Sequence, residues 1–148
     1  MPIVTLPITQ DGPVLMFIVG VSAARHHALQ AAGLPTPPGV PAMLLLDTGA
    51  SVTVLDTEII KALSLVPTGT QEIKTPSTGT GTHTCNQYDI SLALTHPNPP
   101  HIHIFSLTIP VIESDFSQQP IKGLIGRDIL SQCLFAYNGP HGHFVVGV

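Results

Sequence analysis

The chain has 148 residues, enough for one domain around a single core. Charged residues are 9% of the chain against a usual share of about 25%, and mean hydropathy is +0.37, so much uncharged surface is expected, and with it self-association. The net charge is −4 and the five cations, Arg25, Lys61, Lys74, Lys122 and Arg127, are scattered, which excludes a basic patch and argues against nucleic acid as a partner.

Cys85 and Cys133 have no zinc-type spacing and make no disulfide scaffold, so a reducing, cytoplasmic setting is the simpler expectation. No run reaches the length that spans a membrane, and no membrane partner is expected. The apolar run Val14 to Val21 follows Asp11 and precedes the first basic residue, Arg25. That order is wrong for a secretory signal, and the run reads as a buried strand.

In chain order, Pro2 to Thr9 is extended, with Val4 and Leu6 on one face, and Asp11-Gly12 is a hairpin signal. Val14 to Val21 is the second strand. Ser22 caps a predicted helix over Ala23 to Ala32, closed by Gly33 with Pro35 beyond. Residues 22 to 41 read as an insertion between two strands. Ala42 to Leu46 is a compact apolar strand, Val52 to Leu55 another, and Asp56 is positioned to cap a short helix over Thr57 to Leu63. A long hairpin spans about 69 to 94, with a small polar tip, Thr75, Pro76, Ser77, Thr78, Gly79, Thr80 and Gly81. His101 to Ile112 alternates as a strand, Arg127 to Cys133 is a short helix, and Leu134 to Tyr137 and His143 to Val148 are the last strands. Thirteen glycines and fifteen prolines punctuate these short pieces, which suits an all-β protein.

Two segments carry chemistry. Leu44-Leu45-Leu46 runs directly into Asp47-Thr48-Gly49-Ala50-Ser51, and Val52 to Leu55 is apolar again. Asp, Thr and Gly favour surface turns, yet these flanks set the turn inside a core. A carboxylate placed there must be hydrogen-bonded or share a proton. About eighty residues downstream, Gly123-Leu124-Ile125-Gly126-Arg127-Asp128 can thread a backbone close past that loop.

Together these motifs resemble the retropepsin-like family, the retroviral-type aspartic proteases. The resemblance runs over the whole chain, allowing for the insertion at 22 to 41. It implies an all-β, closed barrel-like subunit with one short C-terminal helix, paired as a symmetric homodimer. It implies an aspartic endopeptidase, with Asp47 catalytic and Thr48, Gly49 and Ala50 forming the active-site loop. Leu124, Ile125, Gly126, Arg127 and Asp128 would support that loop, and residues 75 to 81 would be a flap closing over an extended peptide. It implies no cofactor and no metal. There is one Asp-Thr-Gly in the chain, so the second aspartate must come from a second subunit. Two such carboxylates cannot both ionise, and one keeps a proton.

The chain departs from the viral pattern just after Asp-Thr-Gly. Where those members often carry an acidic residue that pairs with the arginine of Gly-Arg, this chain has Ser51 and Val52. Asp128 or a more distant acid is then the candidate partner of Arg127. The viral members also interleave their terminal strands across the dimer, which Pro2 to Leu6 and Phe144 to Val148 can imitate. Two rival functions compete with the peptidase. One is an inactive, dimeric peptide-binding module of the same fold. The other is a metal-binding domain built on His101, His103, His141 and His143, two pairs at the same-face spacing of a strand.

Overall fold

The computed structural model describes residues 2–74, 79–95 and 103–148, with Thr95 and 103–106 described by their backbone alone. Ten strands and three helices follow in chain order among these residues. They are β1 (Ile3–Pro7), β2 (Val14–Val21), α1 (Ala23–Ala31), β3 (Val40–Leu46), β4 (Val54–Asp56), α2 (Thr57–Ala62) and β5 (Gly69–Ile73). Then come β6 (His83–Thr95), β7 (His103–Ser114), β8 (Gly123–Ile125), α3 (Arg127–Leu130), β9 (Leu134–Asn138) and β10 (His143–Gly147).

Alternating apolar side chains close a six-stranded barrel. The strands run β2-β3-β8-β4-β7-β6, and β6 pairs again with β2 to complete the ring. Along β2, Leu15, Phe17, Val19 and Val21 point inward, and Leu44, Leu55, Ile90, Leu92, Val111 and Ile125 meet them from the other strands. Most pairs are antiparallel, but β3 lies parallel to β8 and β4 parallel to β7. The fold is mostly β, as expected, and α3 is the expected short C-terminal helix. The other two helices lie in connections, where the sequence marks them. Ser22 caps α1 by accepting from the Arg25 N–H at 3.2 Å.

Three local expectations change. The Asp11-Gly12 turn forms, with Gly12 at φ +98° and a bridge from Thr9 to Gly12, but the strands on either side do not pair. β1 instead pairs with β10, because Val4 and Leu6 pack inward beside Phe144 and Val146. Second, Asp56 sits at the start of α2 without capping it. Its carboxylate is buried and turns to accept from the Phe116 N–H at 3.2 Å, with Lys122 Nζ 3.6 Å away. Third, the terminal strands, which the viral pattern interleaves across a dimer, pair with each other within the single chain. β10 is flanked by β1 on one side and β9 on the other, in a separate three-stranded sheet of one chain.

β8 is squeezed between β3 and β4, and the squeeze requires glycine at its first position. A Cβ on Gly123 would run into the Val54 carbonyl and the Leu44 side chain. Gly123→Ala should therefore lower the unfolding free energy by about 1–3 kcal/mol, read by urea denaturation. An unchanged midpoint would show that β4 can move aside.

Candidate active site

Asp47 stands where β3 leaves the barrel. Its N–H donates to the Ile125 carbonyl at 3.0 Å, the last bond between the β3 end and β8. The chain then turns sharply. The Gly49 N–H donates to Asp47 Oδ1 at 2.8 Å and the Ala50 N–H to the Asp47 carbonyl at 3.2 Å. A Cβ at Gly49 would lie 3.0 Å from that same carboxylate oxygen, so a side chain there would press on the group the turn holds. In the single chain Asp47 is half-buried, while Thr48 and Gly49 are exposed. The sequence flanks place the whole turn in the core; the core ends at Leu46, and the loop projects beyond the mouth of the barrel.

Beneath the loop is a buried polar knot that sequence reasoning missed. Thr53 is fully buried, and its hydroxyl accepts from the Gly126 N–H at 3.1 Å and donates to Asp128 Oδ1 at 2.8 Å. The Thr53 N–H donates to Asp128 Oδ2 at 2.8 Å, and the Ile129 N–H donates to Oδ1 at 2.9 Å. Asp128 therefore serves Thr53 and not Arg127. The Arg127 guanidinium instead donates to the Thr48 carbonyl at 2.7 Å, and its backbone N–H donates to the Ala50 carbonyl at 2.9 Å. Gly126 makes the approach possible, since a Cβ there would fall within 2.5 Å of the Val52 backbone. Leu124 and Ile125 pair in register with Leu45 and Leu46. Of the expected supporting segment, Leu124 and Ile125 lie beside the end of β3, Arg127 reaches Thr48 and Ala50, and Gly126 and Asp128 meet Val52 and Thr53 beyond the loop. The signal for Thr53 was present: alternation puts it on the inward face with Leu55, where a lone hydroxyl must find partners.

The loop opens into a cavity of about 290 Å³. Asp47 lines it with Ala50, Val52, Val54, Ile112 and Leu124, and the hairpin contributes Ile73 and Lys74. The expected hairpin is β5 and β6, in register from Gly69 opposite Gln87 to Ile73 opposite His83. Its described tip residues, Gly79, Thr80 and Gly81, are exposed, with Gly79 at φ +60°. Thr75, Pro76, Ser77 and Thr78 lie outside the described residues. Of the histidines, His141 and His143 have ring centroids 6.2 Å apart, His101 lies outside the described residues and His103 is described by its backbone alone. Among the described residues, no three His, Cys, Asp or Glu side chains group so as to hold a metal ion.

The knot makes a sharp prediction. Thr53→Val keeps the volume but leaves the Gly126 N–H and one lone pair of Asp128 without a partner. It should cost about 1–3 kcal/mol of stability by denaturant unfolding, and Asp128→Ala should cost less in that background than alone, because the hydroxyl bond is already gone while the two backbone N–H bonds to the carboxylate remain to be lost.

Comparison with known proteins agrees with this geometry. A sequence model of the family described as aspartyl protease matches residues 36–129, more than half of the chain. That stretch contains both the Asp47 loop and the Gly126-Arg127-Asp128 segment. No curated protein sequence matches the chain. Among solved structures, a retropepsin-like aspartic protease from Rickettsia conorii is similar in fold, with a TM-score of 0.50 at 15% sequence identity, covering 98% of this chain and 90% of that one. The chain belongs to the aspartyl protease family and has a retropepsin-like fold.

Proposed function

We propose that the chain is an aspartic endopeptidase that works as a symmetric homodimer, with one Asp47 from each subunit. The observation that carries this reading is the Asp47 carboxylate itself. It accepts from the Gly49 N–H and lines a mostly aliphatic cavity beside a hairpin, on a loop whose Thr48 carbonyl is held by Arg127. Such a site suits an extended peptide, whose apolar side chain enters the cavity while its backbone lies along the loop. In the dimer the two carboxylates share one proton, because like charges at contact distance cannot both ionise. The ionised one takes a proton from a bound water, whose oxygen adds to the scissile carbonyl carbon. The protonated one hydrogen-bonds the carbonyl oxygen and supports the charge that develops there. Proton delivery to the amide nitrogen then lets the C–N bond break, giving a carboxylic acid and an amine.

The outer face of the β1-β10-β9 sheet supports pairing. Ile3, Gly147 and Leu134 stand side by side across it, followed by Thr5, Val145 and Ala136, and none of these carries charge. Ile3 is 56% and Leu134 48% exposed in the single chain, which is costly surface unless a partner covers it. The main-chain groups on the outer edges of β1 and β9 are also free of strand partners among the described residues.

Two measurements test the reading. Asp47→Asn should reduce peptide cleavage by about 10²–10⁴-fold while sedimentation still shows a dimer. Retained turnover would overturn the peptidase, and peptide bound but never cut by wild type would favour the inactive binding module. The pH profile should fall on the alkaline side, because the shared proton is then lost and the carbonyl oxygen loses its donor. Cleavage at about pH 9 as fast as at about pH 5 would contradict a carboxylate pair.

A further inference from the structure

Among the described residues, the cavity beside Asp47 carries one cation, Lys74. Lys74 follows directly on β5 and is exposed at the rim of the cavity that Ile73 also lines. Its ammonium has no carboxylate partner. The ion pairs among the described residues are Lys61–Glu58 and Lys122–Asp56, and all nine acidic residues of the chain are among those described. Glu72, two residues back, is exposed and forms no pair with it. The loop offers no counter-charge beyond Asp47 itself, since Thr48 to Val52 carry no acidic side chain. The rest of the wall is mostly aliphatic, Ala50, Val52, Val54, Ile112 and Leu124, with Gly49 and Ser51 beside them.

Such a wall penalises a charge buried against it, yet it accepts an aliphatic stem whose charged end reaches the rim. At that rim a second ammonium meets repulsion and a carboxylate meets attraction. We propose that Lys74 is a specificity residue, selecting glutamate over lysine at the substrate position whose side chain enters this cavity. This rests on the peptidase reading for the cleavage readout, and the test below separates the two.

One peptide scaffold is offered to wild type with each position in turn changed to Leu, Glu or Lys. The same peptides are titrated onto Asp47→Asn, which reads binding without cleavage. At the cavity position Glu should be favoured over Lys by roughly fivefold, the upper range for an exposed ion pair. Lys74→Gln should bring the ratio close to unity and Lys74→Glu should reverse it. Asp47-dependent cleavage with the same ratio in all three forms overturns the role of Lys74 and leaves the peptidase standing. A charge-dependent binding ratio without cleavage by wild type supports Lys74 and overturns the peptidase. Neither cleavage nor binding overturns both.

Discussion

One buried hydroxyl joins the chain that leaves the Asp47 loop to the Gly126-Arg127-Asp128 segment. Thr53 sits under the loop with no access to water, and its Oγ1 both accepts from Gly126 and donates to Asp128. The Asp128 carboxylate collects three donors, from the Thr53 hydroxyl, the Thr53 N–H and the Ile129 N–H. Every polar atom of the knot therefore has a partner, the condition under which a buried network rigidifies rather than destabilises. The knot joins two chain segments more than seventy residues apart, so the two motifs move as one body. Arg127 extends the same body outward through the Thr48 carbonyl.

That arrangement explains why the motifs need their glycines. The Val52 backbone passes so close to Gly126 that no side chain fits between, and the Gly49 amide must reach the Asp47 carboxylate without a Cβ pressing on it. Close backbone approach lets hydrogen bonds replace packing at the point where the barrel ends. A carboxylate directly after three leucines is tolerable because its backbone is still tied to β8 through the Ile125 carbonyl while its side chain is already turning out of the core.

Much of this was legible in the residues, and the misses share a cause. The alternation in Val14 to Val21, the cap at Ser22 and the two motifs are local patterns, and each appears where the pattern puts it. The failures come where a side chain or strand chooses a distant partner over a near one. Asp56 satisfies Phe116 instead of its own helix, β1 leaves its turn to pair with β10, and Asp128 prefers Thr53 to its neighbour Arg127. Local propensity assigns an element or a cap, but it does not rank competing partners at long range. Burial ranks them. The Thr53 hydroxyl, the Phe116 N–H and the inward face of β1 all lose water on folding, so each takes whichever partner the core brings near.

The same logic bears on why a chain so poor in charge would act as a pair. Within one subunit the Asp47 loop is braced below but open above, with Thr48 and Gly49 exposed. One carboxylate does not supply both the base that takes the water's proton and the acid that the carbonyl oxygen needs. In the proposed homodimer both needs are met by one event. Covering the apolar outer face of the terminal sheet would bring the two loops together, and their mutual repulsion would retain the proton. Chemistry and association would then be coupled through rigid parts. The loop is tied to α3 by the knot, and α3 is followed within a few residues by β9, an edge of that sheet. A device of this kind needs few surface charges, because its function lies in faces that meet rather than in faces that stay wet.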